Sequence, residues 1–532
     1  MKRASSLIIL AALLLSLLSA CGGTAAKPTD SPKPTVPVAT AKPAATEAVA
    51  TEAAEVTQTG ATEGPEGTAV ITGTAVMTGT AVMTGTAATT GTEAPEGTAV
   101  MTGTAVMTGT AATTGTEAPE GTAATTGTEA PEGTAATTGT EAPEAAKAVK
   151  IPAFLATLTS KVSGLKLGTI KIASQTPLSG DQSALGIGIR NGTELAIAQM
   201  NIALKGTGVT FELAPFDDQA KPEVGSANAK NIVSDADILC VVGHLNSGVA
   251  LAALPDYSNA KLVMISPANT SPKITESGYT NAFRVVGRDD VQGPIGARFA
   301  SETLKATSVY ILHDKTDYGQ GVAEFFRKEA EKLGIKVLGF EGTQEKSDFS
   351  SILTPIQAAN PDLIYFGGLY PQAGPLLRQA RDRGITAKFL GPDGLDSPEL
   401  AKLAGDALAG TYYTSVAAPV SQFPDAAQYA SDYKAKYNGT APPFSPQAFD
   451  SASFCGAAIL QAAVNAKGKP TREQVVTALK GLPALAGITA SYKFNAKGDP
   501  DPGTYYILAA NTDPAQWDNN KLASRIEIAP PK

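Results

Sequence analysis

The stretch at 237–272, DILCVVGHLNSGVALAALPDYSNAKLVMISPANTSP, restricts the possible folds of this chain more than any other. It contains two short apolar runs without charge, which are typical of strands buried on both faces, and a segment of helical spacing between them. A βαβ unit places the turns that follow its two strands at one edge of the sheet. The sequence predicts strands at 238–242 and 262–265, a polar turn at 243–248 and a helix at 249–257.

Two hydroxyl residues follow these strands, and open α/β sheets bind ligands at that edge. Ser247 lies where the helix begins, so its hydroxyl and the free N–H groups there could hold a carboxylate, or it could be a simple N-cap. Thr270, in SPANT, could bind a ligand or only stabilise its turn. We expect Ser247 and Thr270 to face a common crevice.

The remainder of the chain from about residue 167 repeats the alternation of apolar runs and helical periods, with a break near 285–293. This alternation predicts α/β architecture with parallel, doubly wound sheets. Two such units joined by several crossings make a bilobed protein with a central cleft. Predicted strands are 169–175, 209–214, 308–312, 336–340, 363–367, 389–390, 411–414, 491–494 and 504–509; predicted helices are 191–200, 223–234, 291–304, 318–333, 349–359, 373–384, 423–437, 446–466 and 471–482.

The N-terminus has the pattern of a targeting segment. Lys2 and Arg3 precede an apolar core at 7–18 that is too short for a comfortable membrane span. The run LSAC, ending at Cys21, resembles a bacterial lipoprotein signal, which implies cleavage and lipidation of Cys21. A plain secretory signal or an N-terminal anchor is the alternative.

Residues 22–150 are of low complexity, with GTAVMTGTAVMTGTAATTGTEAPE recurring in varied copies and no aromatic residue before Phe154. Such a composition buries too little apolar surface to offset the entropy of ordering. The period is also too short and too polar for a solenoid. We interpret 22–166 as a disordered tether, with 151–164 as a transition into a fold that starts near Leu167; an adhesive repeat is the alternative.

Composition excludes several classes of function. The net charge of −8 argues against a nucleic-acid surface, and the two histidines, His244 and His313, lack metal-ligand spacing. We therefore expect no cofactor, no metal and no enzymatic activity. We interpret His244 as a satisfied turn histidine and His313 as structural. Cys240 and Cys455 are interpreted as buried thiols rather than a bridge.

A family resemblance runs from about Leu167 to the C-terminus. GHLNSG and MISPANTSP resemble the leucine/isoleucine/valine-binding proteins of ABC transporters, as do PLSGDQSALG, FRVVGRDDVQGP, ILHDKTDYGQG, YFGGLYPQAGPLLRQAR and GPDGL in the same order. The resemblance implies the type I periplasmic binding protein fold, in which the chain crosses between lobes three times. It implies lobe one at 167–288 and 418–497, and lobe two at 289–417 and 498–532.

The resemblance also assigns roles in a ligand pocket. Ser247, Ala268 and Thr270 align with positions that hold an amino-acid backbone, and Asp393 aligns with a glutamate that meets the ammonium. Without the resemblance, Asp393 in its Pro-Asp-Gly turn would be interpreted as a surface residue. Tyr318 aligns with another pocket tyrosine, although it could simply cap or pack its helix.

The chain departs from the family pattern at several pocket positions. Leu185 and Leu369 stand where leucine-type relatives carry aromatic residues, so the size of the ligand is in question. Tyr370 and Phe444 could compensate, or could belong to the core. Asn246 is a further candidate ligand residue; Ala220 and Asn246 occupy the positions of a cysteine pair found in some relatives.

The resemblance implies a monomeric, lipid-anchored solute-binding protein that delivers an amino acid, branched-chain or similar, to an ABC permease. A ligand-binding module for a membrane sensor is one alternative. Binding of amides, urea or aromatic acids on the same fold is another.

Overall fold

The computed structural model describes residues 153–531 and, within the repeat region, seven strands of two or three residues each. These are β1 (Ala69–Ile71), β2 (Met77–Thr78), β3 (Val82–Thr84), β4 (Ala87–Thr89), β5 (Met101–Thr102), β6 (Val106–Thr108) and β7 (Ala112–Thr113). The predicted signal at 1–21 and its Cys21 lie outside the described residues. Across the part of the chain that the structure describes, no helix combines the length and the apolar character needed to span a bilayer.

The repeat strands pair in parallel. Met77 pairs with Met101 and Val82 with Val106, each 24 residues later, which is the length of the repeating unit, whereas Ala69 pairs with Ala87, 18 residues later. The prediction of a tether without secondary structure is wrong at these strands. For the remainder of 22–150 it stays a prediction.

The folded region begins earlier than predicted, with helix α1 (Ala153–Val162). Leu155, Leu158 and Val162 share one face of this helix and are buried against α2 (Ser183–Ala203) and α12 (Ser445–Ala466). The tether limit at residue 166 is therefore wrong. The i, i+3, i+7 spacing of these three residues was visible in the sequence.

The first sheet contains five parallel strands in the order β12-β11-β10-β8-β9. Every residue of β10 is buried, as its uncharged apolar sequence predicts. Helix α12 returns from late in the chain and packs on α2, β10 and β11. The strands are β8 (Gly168–Thr176), β9 (Val209–Asp217), β10 (Ile238–Gly243), β11 (Val263–Ser266) and β12 (Ala282–Arg284); the other helices near this sheet are α3 (Pro222–Ser234), α4 (Ser247–Asn259), α5 (Lys273–Glu276), α11 (Ala427–Tyr437) and α13 (Arg472–Gly481).

The second sheet has seven strands in the order β14-β13-β15-β16-β17-β20-β21. Its first five strands are parallel, whereas β20 and β21 are antiparallel additions at one edge. The strands are β13 (Ser308–His313), β14 (Lys336–Gly342), β15 (Leu363–Gly367), β16 (Lys388–Gly391), β17 (Thr411–Ser415), β20 (Gly503–Ala509) and β21 (Lys521–Ile528); a hairpin of β18 (Leu485–Ala486) and β19 (Ser491–Tyr492) lies apart. The helices are α6 (Asp289–Glu302), α7 (Asp317–Lys332), α8 (Ser350–Ala359), α9 (Tyr370–Asp382) and α10 (Pro398–Ala404).

The predicted α/β class with two parallel-sheet lobes is confirmed. We keep the names lobe one and lobe two for the predicted segments that carry the first and second sheets. The prediction omitted β12, α10 and β21, and it began the first helix at 191, whereas α2 already begins at Ser183.

Cys240 and Cys455 form a disulfide, so their interpretation as separate thiols is wrong. Cys240 lies in β10 and Cys455 in α12, with 5.9 Å between their Cα atoms, a normal separation for a bridge. The two cysteines are 215 residues apart, and only the packing of α12 across β10 brings them together.

Candidate functional site

A small enclosed cavity lies between the lobes, at the carboxyl ends of the parallel strands. The cavity has a volume of about 20 Å³. Six of the eight predicted ligand residues line the cavity, together with Leu245, Gly394 and Phe444; the six are Leu185, Asn246, Ala268, Tyr318, Leu369 and Asp393. Ser247 and Thr270 are not part of the lining, although both are buried in the adjoining turns.

Ser247 is the first residue of α4 rather than its N-cap, a position that Asn246 occupies in an extended conformation. The alternative of a capping serine is therefore wrong. The Ser247 hydroxyl accepts only a long bond, 3.4 Å, from the Ser271 N–H. Thr270 Oγ1 is buried without a hydrogen-bond partner. Two hydroxyls beside a helix N-terminus offer hydrogen-bond donors that suit a carboxylate.

Asp393 begins a short 3₁₀ turn just after β16 and is buried, so it does not have the surface position that its Pro-Asp-Gly turn alone would indicate. Its Oδ1 accepts hydrogen bonds from Gln292 Nε2 at 2.5 Å and from the Tyr318 hydroxyl at 2.8 Å. Tyr318 in turn accepts from the Gly394 N–H at 2.7 Å, which fixes its ring in the cavity wall. Burial raises the pKa of Asp393 to about 7.

A second acid, Asp289, was missed as a site residue. It is the first residue of α6, its N–H donates to the Thr270 carbonyl at 2.9 Å, and both carboxyl oxygens are buried without a hydrogen bond. Burial, and after it the charge of Asp393, raises the pKa of Asp289 well above its ordinary range. The motif GRDDVQG contained this residue, but the sequence analysis treated that stretch only as a break between lobes.

The remaining wall of the cavity is apolar. Leu185 and Phe444 are almost fully buried, and Leu369 is 8% exposed. Tyr370 does not compensate for the missing aromatic residues, because its hydroxyl donates to the Asp181 carbonyl and it lies outside the lining. The Asn246 amide donates to Gln182 Oε1 at 2.7 Å, which leaves its own carbonyl oxygen without a partner.

The two lobes are in contact around the cavity, so the structure shows a closed cleft. Lys346 pairs with Asp181 at 2.9 Å, and Lys273 pairs with Asp317 at 2.6 Å. The bond from Tyr370 to the Asp181 carbonyl, 2.7 Å long, also joins lobe two to lobe one.

The two histidines lie outside the cavity lining. His244 is fully buried, with Nδ1 3.5 Å from Asp218 and no hydrogen bond on either ring nitrogen, so its interpretation as a satisfied histidine is wrong. His313 Nδ1 accepts from the Lys315 N–H at 3.2 Å, in agreement with a structural role.

Two α/β lobes closed over a cavity that is lined by the Asp393 carboxyl and an apolar wall, with the Ser247 and Thr270 hydroxyls in the adjoining turns, define a two-lobed solute-binding protein with the type I periplasmic binding protein fold. The chain belongs to the periplasmic binding protein family, whose profile matches residues 169–514.

Named relatives are binding proteins. The chain is 34% identical to Leu/Ile/Val-binding protein homolog 2 of Brucella abortus over 348 residues, 65% of this chain and 92% of that protein. It is 33% identical over 361 residues to the leucine-, isoleucine-, valine-, threonine- and alanine-binding protein of Pseudomonas aeruginosa, 68% of this chain and 92% of that protein. The crystal structure of a branched-chain amino acid transporter substrate binding protein from Streptococcus pneumoniae, in complex with isoleucine, matches with a TM-score of 0.59 and 26% identity, covering 68% of this chain and all of that one.

Proposed function

We propose that this protein binds a small zwitterionic amino acid, branched-chain or similar, outside the cytoplasm and delivers it to an ABC importer. The observation that carries the proposal is the buried Asp393 carboxyl, which faces the cavity without a cationic side chain to pair with it among residues 153–531. A buried carboxylate needs a cation, and the ammonium of an amino acid provides one.

In our proposal, the other predicted site residues bind the remaining groups of such a ligand. The hydroxyls of Ser247 and Thr270 and the N-terminus of α4 hold its carboxylate. The Ala268 carbonyl accepts from the ammonium, and Tyr318 keeps Asp393 in place through the 2.8 Å bond. Asn246 lines the cavity beside them.

Leucine side chains at positions 185 and 369 leave an aliphatic wall in place of aromatic rings. Such a wall suits an aliphatic ligand side chain, and the aromatic rings that remain in the lining are those of Tyr318 and Phe444. Relatives named for leucine, isoleucine and valine, and in one case also for threonine and alanine, support an aliphatic ligand. We therefore propose a small aliphatic amino acid rather than an aromatic one.

The proposal includes cleavage before Cys21, lipidation of that residue and a tether that carries the lobes away from the membrane. Two lipid chains or more give stable anchoring. The Cys240–Cys455 disulfide supports a location outside the cytoplasm, because disulfides persist in oxidising compartments. Replacing Cys21 with serine should move the protein from the membrane fraction to the soluble fraction; continued membrane association would mean that the apolar segment at 7–18 is the anchor.

Calorimetric titration with a panel of amino acids tests the binding proposal. Asp393→Asn should weaken binding of the cognate amino acid by about 2–5 kcal/mol, because the buried ammonium loses its charged partner. Asp382→Asn, on the exposed end of α9, is the matched control and should bind as the parent does. Equal affinity of Asp393→Asn and the parent would refute the ammonium assignment and favour an uncharged amide or an organic acid.

Ser247→Ala should cost less, about 1–3 kcal/mol, because backbone N–H groups still meet the carboxylate. The difference between the Asp393 and Ser247 variants distinguishes the two ends of the ligand.

A further inference from the structure

A second buried carboxyl, that of Asp289, lies behind the proposed ammonium end of the cavity, although only Asp393 is part of the lining. Asp289 and Gln292 are three residues apart on α6 and so share one side of the helix, and Gln292 Nε2 reaches Asp393 Oδ1 at 2.5 Å. The side of α6 that carries Asp289 therefore meets the turn that carries Asp393. The Asp289 N–H also bonds Thr270, which joins this pair to the proposed carboxylate end.

The nearest basic groups are already engaged. Arg284 of β12 is fully buried near Asp289, but its guanidinium is held by other partners, and Arg288 likewise pairs away from the cavity. The partners of Arg284 are the carbonyls of Asn269 and Ser271, Thr275 Oγ1 and Asp499; those of Arg288 are Glu276, Asp290 and Asp499. Among residues 153–531, no lysine, arginine or histidine forms an ion pair with Asp289 or Asp393.

The other groups facing the pair are acids or neutral hydroxyls. Tyr318 of α7 donates to Asp393, and the buried hydroxyl of Tyr365 on β15 lies near both carboxyls. Asp396, in the turn after Asp393, adds a further negative group that raises the pKa of Asp393, and Asp290 acts in the same direction on Asp289. None of these neighbours can neutralise two carboxylates.

Two neighbouring carboxyl groups that are both buried do not both ionise, because each charge opposes the other and neither is solvated. We propose that Asp289 and Asp393 share one proton in the ligand-free protein, and that the ammonium of the ligand replaces this proton, so that each binding event releases one proton to the solvent. The inference rests on the proposed function, since it takes an ammonium as the incoming cation.

The exchange balances charge and makes affinity dependent on pH. One proton leaves a carboxyl oxygen as one ammonium enters, so the ammonium end of the site carries the same net charge before and after binding, and the ligand carboxylate is held separately at the other end. An amino acid does not itself change charge between pH 6 and pH 8, so any change in affinity there comes from the protein. We expect the protein to bind its amino acid about tenfold or more weakly at pH 6 than at pH 8, because the shared proton is harder to displace at the lower pH.

Titration of L-leucine, L-valine and L-alanine into the full protein at pH 7, in phosphate and in Tris, measures the released proton. These buffers differ in ionisation enthalpy, so the difference in observed heat gives the number of protons that the buffer takes up. We expect about one proton per ligand for the parent protein. Asp289→Asn should reduce this number to well below one-half and flatten the dependence of the dissociation constant on pH, because a single carboxylate with two donors can stay ionised.

Asp290→Asn is the matched control: it makes the same chemical change on the next residue of α6, where the side chain pairs with Arg288 rather than facing the cavity. It should keep both the proton release and the pH dependence. Tight binding without proton release in the parent would overturn the shared proton and leave the proposed function intact.

Infrared difference spectra of the ligand-free protein test the shared proton without any ligand. The carbonyl stretch of protonated carboxyl groups should be present at pH 7 and should weaken by the same amount in Asp289→Asn and Asp393→Asn, but not in Asp290→Asn. The remaining intensity comes from other buried acids such as Asp396, whose pKa burial also raises to about 7. A band of unchanged intensity in Asp289→Asn and Asp393→Asn would overturn the inference, even if no amino acid binds and the proposed function itself fails.

Discussion

Helix α1 should be an integral part of the folded domain, and Leu158→Ala tests this. Leu158 is 1% exposed and lies between Leu155 and Val162 on the face that packs on α2 and α12. Truncation of a fully buried leucine to alanine costs about 2–5 kcal/mol, and a helix at the edge of the folded domain can relax around the cavity. We therefore expect a loss of about 2–3 kcal/mol in the free energy of unfolding.

Urea unfolding of the ligand-free protein, monitored by circular dichroism, measures the loss as a shift of the midpoint at constant slope. Ser160→Ala, on the exposed side of the same helix, should stay within about 0.5 kcal/mol of the parent. A chain that starts at residue 151 should match the parent, whereas one that starts at 167 should be less stable. Equal stability of Leu158→Ala and Ser160→Ala would refute the packing of α1 and restore the tether limit at 166.

Three further outcomes follow from the buried groups. Replacing both Cys240 and Cys455 with alanine should lower the free energy of unfolding by about 2–5 kcal/mol, measured by the same urea titration under oxidising conditions. Burial raises the pKa of Asp393 to about 7 in the folded protein, so the folded state binds a proton that the unfolded state releases at a lower pH. The ligand-free protein should therefore lose stability as the pH rises from about 4 to about 7. In Asp393→Asn, the melting temperature should depend less on pH. Tyrosine at Leu185 or Leu369 should disfavour leucine more than alanine in calorimetric titration, and an equal loss for both ligands would remove these residues from the wall.

The helices and strands of the stretch at 237–272 were predictable to within two residues. An uncharged apolar run predicted β10, and the turn after it placed Ser247 at the start of α4. These features depend on local sequence alone. The class of fold also followed from local patterns, because alternating strands and helices leave few arrangements other than parallel sheets.

The predictions that failed concern features that depend on contacts between segments distant in the sequence. A bridge from Cys240 to Cys455 requires knowledge that α12 crosses β10. Asp289 resembles an ordinary acid in the first turn of a helix, and only the packing of α6 against β16 within lobe two brings it near Asp393. Asp393 is likewise buried beneath Gln292 of α6 and Tyr318 of α7, which its Pro-Asp-Gly turn does not reveal.

The late position of α12 affects how the protein can be synthesised. This helix covers β10 and β11, yet the cysteine that it brings to β10 comes 215 residues later in the chain. A nascent chain that ends anywhere in the second sheet carries the strands of the first sheet without their cover. Long-range closure of this kind is slow, and the uncovered apolar strands are prone to aggregate. Lobe one can therefore complete its fold only after most of lobe two has been made.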